Sequence, residues 1–404
     1  MYRKTYVEVN LDKLSKNVRN IVDSFPGYEY YIGVVKGNAY GHGEYISKYI
    51  IQNGINYLAV SSLEEAINVR KYVDKEFPLL CLEPISLDYI DEIIKYNITI
   101  VVCNLDYYKR LVKLKLSSNV KFHLKLNTGM NRLGISSIEE VNFVFNDKRN
   151  SKILFEGIFT HFSTAGVYDS LFQKQVDKFK YLTSEIDLSK IKVVHLGKSA
   201  TLDFFPKFDF CNGVRVGIMM YGVGSTFPNK NGLRNKLVSL KYKYIRKKYN
   251  LSVPFENSKI KPIQSLSLMS EVVDVHKAYK GENVGYGFSN ILDKDSYIAV
   301  LAIGYADGLQ LKYNNWMVSI NGKKYPVVGS INMGMITVVV DEDVHVGDIA
   351  TLISDMDDYK VLARRFGVSP YVLITNLHRE LPRVYKLNNK VVEIIEPSKD
   401  RVEP

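Results

Sequence analysis

The chain has 404 residues, 46% hydrophobic and 24% charged, enough apolar material for more than one buried core. Its three cysteines, Cys81, Cys103 and Cys211, are too few and too scattered for a disulfide framework or a zinc site, so reduced thiols and no metal are expected. No apolar run reaches the length of a membrane span and MYRKTYVEVNLDKL has no apolar leader, so a cytoplasmic protein is expected. The formal net charge is +11, with much of the excess in residues 234–248. No recognisable nucleic-acid module accompanies it, so no nucleic-acid partner is expected.

In chain order, residues 6–9 predict a strand and residues 11–22 an amphipathic helix with Leu11, Leu14, Val18 and Ile21 on one face. Eight short apolar runs follow, at 30–35, 57–61, 78–82, 98–103, 120–126, 153–160, 191–195 and 214–219. Helical patterns at 62–73, 87–96, 138–145 and 171–186 separate several of them. This alternation predicts a (β/α)8 TIM-type barrel over residues 10–230. A doubly wound sheet is the alternative, but no G-x-G-x-x-G turn follows the first run. Residues 231–262 are polar and basic and read as an insertion or linker. Residues 263–395 predict a mostly β domain, with strand runs at 266–276, 297–302, 317–320, 325–328, 336–340, 348–353 and 384–395. There Asn321-Gly322 marks a two-residue hairpin and only residues 359–366 look helical. The strand at 6–9 is expected to pair with this second domain.

Chemistry-bearing motifs close most of the predicted barrel strands, which is where such barrels build sites. The first is VVKGNAYGHG, residues 34–43, with Lys36 at the strand end, a place suited to a Schiff-base amine, and with small, turn-prone residues after it that open into a helix-like segment. KLNTGMNRLGI (125–135), FEGIFTHFSTA (155–165), VVHLGKSA (193–200) and GVRVGIMMYG (213–222) follow. The second domain adds VGYGFSN (284–290), IGYADG (303–308), GSINMGM (329–335) and PYVLITNLHRELPR (370–383).

Taken together, these motifs resemble those of the alanine racemase family, the fold type III pyridoxal-phosphate enzymes, over residues 6–383. The resemblance implies pyridoxal 5'-phosphate carried by Lys36. It implies phosphate contacts from Tyr40, Ser199 and the backbone of Gly217 and Ile218, with Tyr371 also reaching the phosphate. Arg215 matches the arginine that meets the pyridine nitrogen, and His161 the histidine that hydrogen-bonds the catalytic tyrosine. That tyrosine matches Tyr286, the second base, contributed by the partner subunit of a homodimer. Arg132, Tyr305 and Met333 match substrate-binding residues, and Lys125 matches a lysine that is carbamylated in some members. An arginine cannot give up its proton, so it leaves the ring nitrogen unprotonated and favours short-lived carbanions, which suit racemisation over transamination.

Three departures stand out. Asn127 replaces a frequent aspartate, and Lys198 replaces the asparagine before Ser199. Ser330, Asn332 and Gly334 replace the arginine, cysteine and aspartate of G-R-x-C-M-D. The expected activity is interconversion of L- and D-alanine, which in a bacterium supplies peptidoglycan. Serine or broad-specificity racemisation is the alternative that Asn332 and Gly334 motivate, and a non-catalytic pyridoxal-phosphate binder is the rival of another class. A nucleic-acid role of the basic stretch is the third.

Overall fold

The computed structural model of the chain describes residues 1–164, 169–224, 244, 259–288, 290–313 and 315–397. The basic stretch at 234–248 lies outside them, apart from Tyr244.

The chain starts with strand β1 (Thr5–Asn10) and passes directly into a helix, Leu11–Ser24. Asn10 makes that switch possible, because its side-chain oxygen accepts from the Lys13 N–H at 2.9 Å and caps the first turn. Leu11, Leu14, Val18 and Ile21 of the helix are fully buried.

Eight parallel strands then form the first domain: β2 (Tyr30–Val34), β3 (Tyr57–Val60), β4 (Leu79–Cys81), β5 (Ile100–Val102), β6 (Val120–Lys125), β7 (Ile153–Phe159), β8 (Val193–Lys198) and β9 (Gly213–Val216). Their order is β4-β3-β2-β9-β8-β7-β6-β5. A bridge between Leu80 and Thr99 closes the ring, with Cys81 N–H donating to Thr99 O and Thr99 N–H to Leu79 O, each at 2.9 Å. Near-continuous apolar strands are what a sheet buried on both faces requires. Ser62, Asn104 and Ser137 cap the helices that follow β3, β5 and the turn after β6, so each chain reversal is locally specified.

The second domain contains β10 (Leu266–Ala278), β11 (Ser296–Leu301), β12 (Met317–Ile320), β13 (Lys323–Val328), β14 (Ile336–Val340), β15 (Ile349–Ile353), β16 (Arg383–Leu387) and β17 (Lys390–Ile395). The sheet order is β11-β14-β13-β12-β15-β10-β1-β16-β17, and β11 also pairs with β10. Six of these strands therefore curl into a small barrel, from which β10 extends to pair antiparallel with β1. The N-terminal strand thus belongs to the second domain's sheet. One buried apolar cluster runs from the first barrel to Trp316 and Leu352, so the two domains share a core.

Three expectations need correction. Residues 37–40 do not open a right-handed helix; they form a left-handed turn. The single strand expected at 384–395 is a hairpin, β16 and β17, reversing at Asn388 and Asn389 with φ of 50° and 59°. Consecutive positive φ is the signature of a tight hairpin turn, and asparagine tolerates it better than most residues. A second short helix, Pro370–Thr375, was hidden by its strand-like VLIT run, although Ser369 and Pro370 are a proper N-cap and N1 pair. Among the described residues no helix is long and apolar enough to cross a membrane, and no cluster of His, Cys, Asp or Glu could hold a metal.

Candidate active site

Lys36 lies at the mouth of the barrel, two residues beyond the end of β2 (Tyr30–Val34). Behind it Asn38, Ala39 and Tyr40 take φ of 53°, 48° and 53° in succession. Left-handed backbone is disfavoured by about 1–2 kcal/mol for each such L-residue, so the surroundings must over-determine it. They do. Glu65 Oε1 accepts the Gly37 N–H at 2.6 Å, while its Oε2 accepts the Ser61 N–H at 2.8 Å and the Ser61 hydroxyl at 2.9 Å. One buried carboxylate thereby ties the end of β2 to the end of β3. The Tyr40 ring stacks on Tyr221 at 4.6 Å, and Tyr221 Oη donates to Val34 O at 2.9 Å. Gly41 must be glycine: its φ is +82°, and a Cβ there would lie 2.1 Å from the Ile374 carbonyl oxygen.

Tyr40, Ser199 and Gly217 meet at this mouth. Gly217 N–H donates to Ser199 Oγ at 3.0 Å, and a Cβ on Gly217 would lie 2.8 Å from Tyr40 Oη. Burial raises the Tyr40 phenol, so it stays a proton donor. Two hydroxyls and a side-chain-free backbone segment, Gly217 with the buried Ile218, form a cradle of small neutral groups. Such a cradle fits a phosphate, whose oxygens need donors at close range and no competing side chain.

Arg215, on β9, is 3% exposed. Its Nη1 contacts His195 Nδ1 at 2.6 Å and His195 O at 2.8 Å, and its Nη2 donates to Thr160 O at 2.7 Å and Leu196 O at 3.2 Å. All these partners are neutral acceptors. Burial pulls Arg215 down to about 10, which still leaves it charged at neutral pH. His161 lies 3.5 Å from Arg215 Nη2. Burial, then the charges of Arg215, Lys198, Arg132 and Lys125, push His161 down to about 2, so it is neutral and offers hydrogen bonds without charge. Lys125 is buried, and burial followed by repulsion from Arg132 and Arg215 lowers it to about 8. Lys198 donates to Phe162 O at 2.9 Å and is lowered to about 8 by burial and Arg215. Four cationic side chains around one histidine make the mouth strongly attractive to anions.

Arg132 sits exposed in the turn after β6. Asn127 holds that turn: its Oδ1 accepts the N–H groups of Gly129 and Asn131 at 3.2 and 3.0 Å, and its amide donates to Asn131 Oδ1 at 3.1 Å. The amide supplies both an acceptor and a donor here, which an aspartate could not.

The second domain contributes in two ways. Tyr371, on the helix Pro370–Thr375, places its ring 6.2 Å from that of Tyr40. Thr375 of the same helix approaches the position of a Cβ on Gly37 to 3.7 Å, so the helix covers the Lys36 turn. Tyr286, Tyr305 and Met333 behave differently. Tyr305 N–H donates to Asn332 O at 3.0 Å and Ala306 N–H to Met333 O at 2.9 Å, while a Cβ on Gly285 would lie 3.4 Å from Ser330 N. Their three loops therefore run side by side, but on an exposed face: Tyr286 is 76% and Met333 64% exposed. Among the described residues Tyr286 makes no hydrogen bond. Phe288, Ile291 and Leu311 are exposed in the same domain. Nearby, Asn332 Oδ1 is buried with no partner among the described residues, and a Cβ on Gly334 would meet nothing within 4 Å.

Glu65, Tyr221 and His195 are absent from the sequence-based site. The Ser62 to Glu65 spacing does carry a helix-start signal, but nothing local indicates that Glu65 reaches Gly37.

Comparison with known proteins gives the same picture. The profile of the alanine racemase N-terminal domain matches residues 9–225, and that of the alanine racemase C-terminal domain matches residues 265–385. Alanine racemase 1 of Clostridium acetobutylicum is 33% identical, covering 97% of this chain and 98% of that protein. Alanine racemase 1 of Bacillus subtilis is 30% identical, covering 98% and 96%. The crystal structure of alanine racemase from Bacillus anthracis with bound L-Ala-P superposes with a TM-score of 0.83 at 29% identity, covering 99% of each chain. A histidine racemase from Leuconostoc mesenteroides, 22% identical with a TM-score of 0.82, shares the fold. With both domains matched in order and relatives aligned along nearly its whole length, the chain belongs to the alanine racemase family.

Proposed function

We propose that the chain interconverts L- and D-alanine with pyridoxal 5'-phosphate as cofactor, as a homodimer whose active sites each combine one subunit's barrel with Tyr286 of the other. The carrying observation is the meeting of Lys36, the Tyr40–Ser199–Gly217 cradle and Arg215 at one barrel mouth. The cofactor, when bound, supplies an electron-withdrawing ring that acidifies the Cα–H of an amino acid. Lys36 holds it and moves the Cα proton at Nζ on one face; Tyr286 Oη moves it on the other. Two faces need two bases, because a single base would return the proton to the side it left.

Tyr40, Ser199 and the Gly217–Ile218 backbone hold the phosphate. Arg215 can donate but not accept, so it leaves the ring nitrogen without a proton and favours prompt return of the proton to Cα. Arg215, Lys125 and Lys198 give the barrel mouth a positive potential, and His161 orients the Tyr286 phenol by hydrogen bonding. Arg132 faces the substrate carboxylate. Lys125 is poised near its own neutral point at mildly alkaline pH, which suits reaction with carbon dioxide to a carbamate beside Arg132. Tyr305, Met333 and Tyr371 bound the substrate space, and the bulk of Tyr371 favours a small side chain.

The three buried free cysteines fit a reducing, cytoplasmic setting, where D-alanine would feed peptidoglycan. A second reading, serine or broad specificity, draws on the open space at Gly334 and the unpartnered Asn332 Oδ1. A non-catalytic cofactor binder would have no use for Tyr286. The test is kcat/KM for racemisation of alanine, serine, lysine and arginine. Alanine is expected to exceed the others at least about tenfold, roughly what one missing or extra methylene is worth; a preference for any other amino acid sinks the assignment.

A further inference from the structure

Below the cradle, the barrel interior holds a series of polar side chains that the proposed chemistry leaves unused. Arg215 Nη1 touches His195 Nδ1 at 2.6 Å. His195 Nε2 lies 2.9 Å from His123 Nδ1. His123 Nε2 in turn lies 3.4 Å from Glu156 Oε2. Tyr57 Oη donates to the same carboxylate oxygen at 2.8 Å and Thr99 Oγ1 at 3.2 Å. His123, His195 and Tyr57 are fully buried, and Glu156 is 6% exposed. A barrel interior is normally filled by Val, Ile and Leu, and buried polar groups are tolerated only when paired. Space has been made for this series: a Cβ on Gly157 would lie 2.6 Å from the His123 ring, and one on Gly213 would lie 3.0 Å from His195 Cβ. Phe159 stacks flat on His195 at 4.7 Å and lies beneath the Arg215 guanidinium at 5.2 Å, which holds both planes.

The hydrogen-bond direction along the series follows from its two ends. A guanidinium has only donors, so His195 Nδ1 must accept, and the His195 proton is on Nε2. That proton is donated to His123 Nδ1, which leaves the His123 proton on Nε2, facing Glu156. An ionised carboxylate has only acceptors, so the last step agrees with the first. Burial and then Arg215 hold His195 well below its usual range, and burial lowers His123 against the pull of Glu156, so both rings are neutral as this geometry requires. Burial raises Glu156, but the hydrogen bonds from His123 and Tyr57 and the charge of Lys121 outweigh it and keep the carboxylate ionised. Lys192 Nζ, 3.6 Å from Glu156 Oε1, adds a positive charge at the rim opposite the active site.

We propose that Glu156 is a positioning residue for the reaction: by accepting from His123 it locks His123 and His195 as Nε2–H tautomers, and so fixes Arg215 where it meets the cofactor ring. The proposal rests on the reading of Arg215 given above. With no acceptor at position 156, His123 can turn its proton to Nδ1. His195 then loses its own acceptor, its Nδ1 acquires a proton, and a donor faces the Arg215 donor at a separation of 2.6 Å. The guanidinium has to move.

The experiment compares the wild-type holoprotein with Glu156→Gln and Glu156→Leu, using 15N-histidine labelling and the visible absorbance of the bound cofactor. In the wild type, His123 and His195 should show a protonated Nε2 and a bare Nδ1. Glu156→Leu should give a mixture of tautomers in these two rings, shift the cofactor band, and lower kcat about ten- to a hundredfold with little change in KM, the usual effect of a small misplacement. Glu156→Gln, nearly isosteric and so the safer folder, should give a smaller change in the same three readouts. Unchanged tautomers in both variants overturn the proposal, as do altered tautomers with an unshifted band and normal kcat. The nitrogen readout needs no cofactor. A wild type with the expected tautomers but no cofactor band would instead overturn the reading of Arg215.

Discussion

Lys36 and Tyr286, the two residues assigned opposite faces of one substrate, occupy contrasting surroundings. Lys36 sits on a turn whose next residues are clamped by Glu65, stacked on Tyr221 and covered by the helix Pro370–Thr375. Tyr286 is 76% exposed, between Gly285 and Gly287 at φ of 75° and 80°. The barrel half of the proposed site is therefore held by contacts within the chain, whereas Tyr286 stands on an open face and makes no hydrogen bond among the described residues. A residue held that loosely can act as a base only when another surface packs around it.

The sharpest way to break this contrast is to disable each half separately. Lys36→Ala should remove the visible cofactor band and lower kcat by more than about a thousandfold. Tyr286→Phe should keep the band and still lower kcat about 10²- to 10⁴-fold, the usual worth of a positioned acid–base group. When the two inactive chains are mixed and allowed to exchange, about a quarter of wild-type activity should return, because half the dimers would each own one intact site. No recovery in the mixture would mean that both groups belong to one chain.

Acid should separate the two halves next. His42, His123 and His195 are fully buried in or against the barrel, and burial lowers all three, His42 to about 4. The native state binds protons at these sites less readily than the unfolded chain does, so stability is retained above the unfolded value of about 6.5 and falls as pH drops below it. His42 and His195 should each withdraw about 1 kcal/mol between pH 6.5 and 5.5, and His123 adds to the loss in the same direction. Urea unfolding at fixed protein concentration measures this, and a flat profile over that interval would contradict the buried neutral assignment.

The smallest effect uses the same substitution in each half. Gly217→Ala pushes a methyl against Tyr40 Oη, 2.8 Å away, and should weaken cofactor affinity by about 1–3 kcal/mol, as overpacking generally does. Gly334→Ala enters open space, and its stability should stay within about 0.5 kcal/mol of wild type. Cofactor titration followed by fluorescence, with melting curves alongside, distinguishes the two. Equal responses would erase the difference between a packed mouth and an open wall.

The barrel and its strand ends were legible in the sequence because they are short-range properties. Eight apolar runs at regular spacing give parallel strands, and capping residues such as Ser62 and Asn104 mark where helices begin. Lys36, Arg215 and Ser199 were legible because each lies in a compact motif at a strand end. The left-handed turn after Lys36 was not. Asn38 tolerates that conformation but Ala39 and Tyr40 have no local preference for it, and it persists through Glu65 and Tyr221, distant in sequence. The hairpin at Asn388–Asn389 was missed although its turn signal was present, because the flanking strands read as one.

Sequence alone thus determined which chemistry the chain carries and the order of the elements that carry it, since both depend on residue type and on spacing over a few residues. Tertiary structure decided the rest. It selected the Glu65 clamp, the direction of the Arg215–His195–His123–Glu156 series and the exposure of Tyr286. Each of these is a pairing between atoms on different strands or domains, and such pairings exist only once the barrel has closed and buried groups must find partners in each other instead of water.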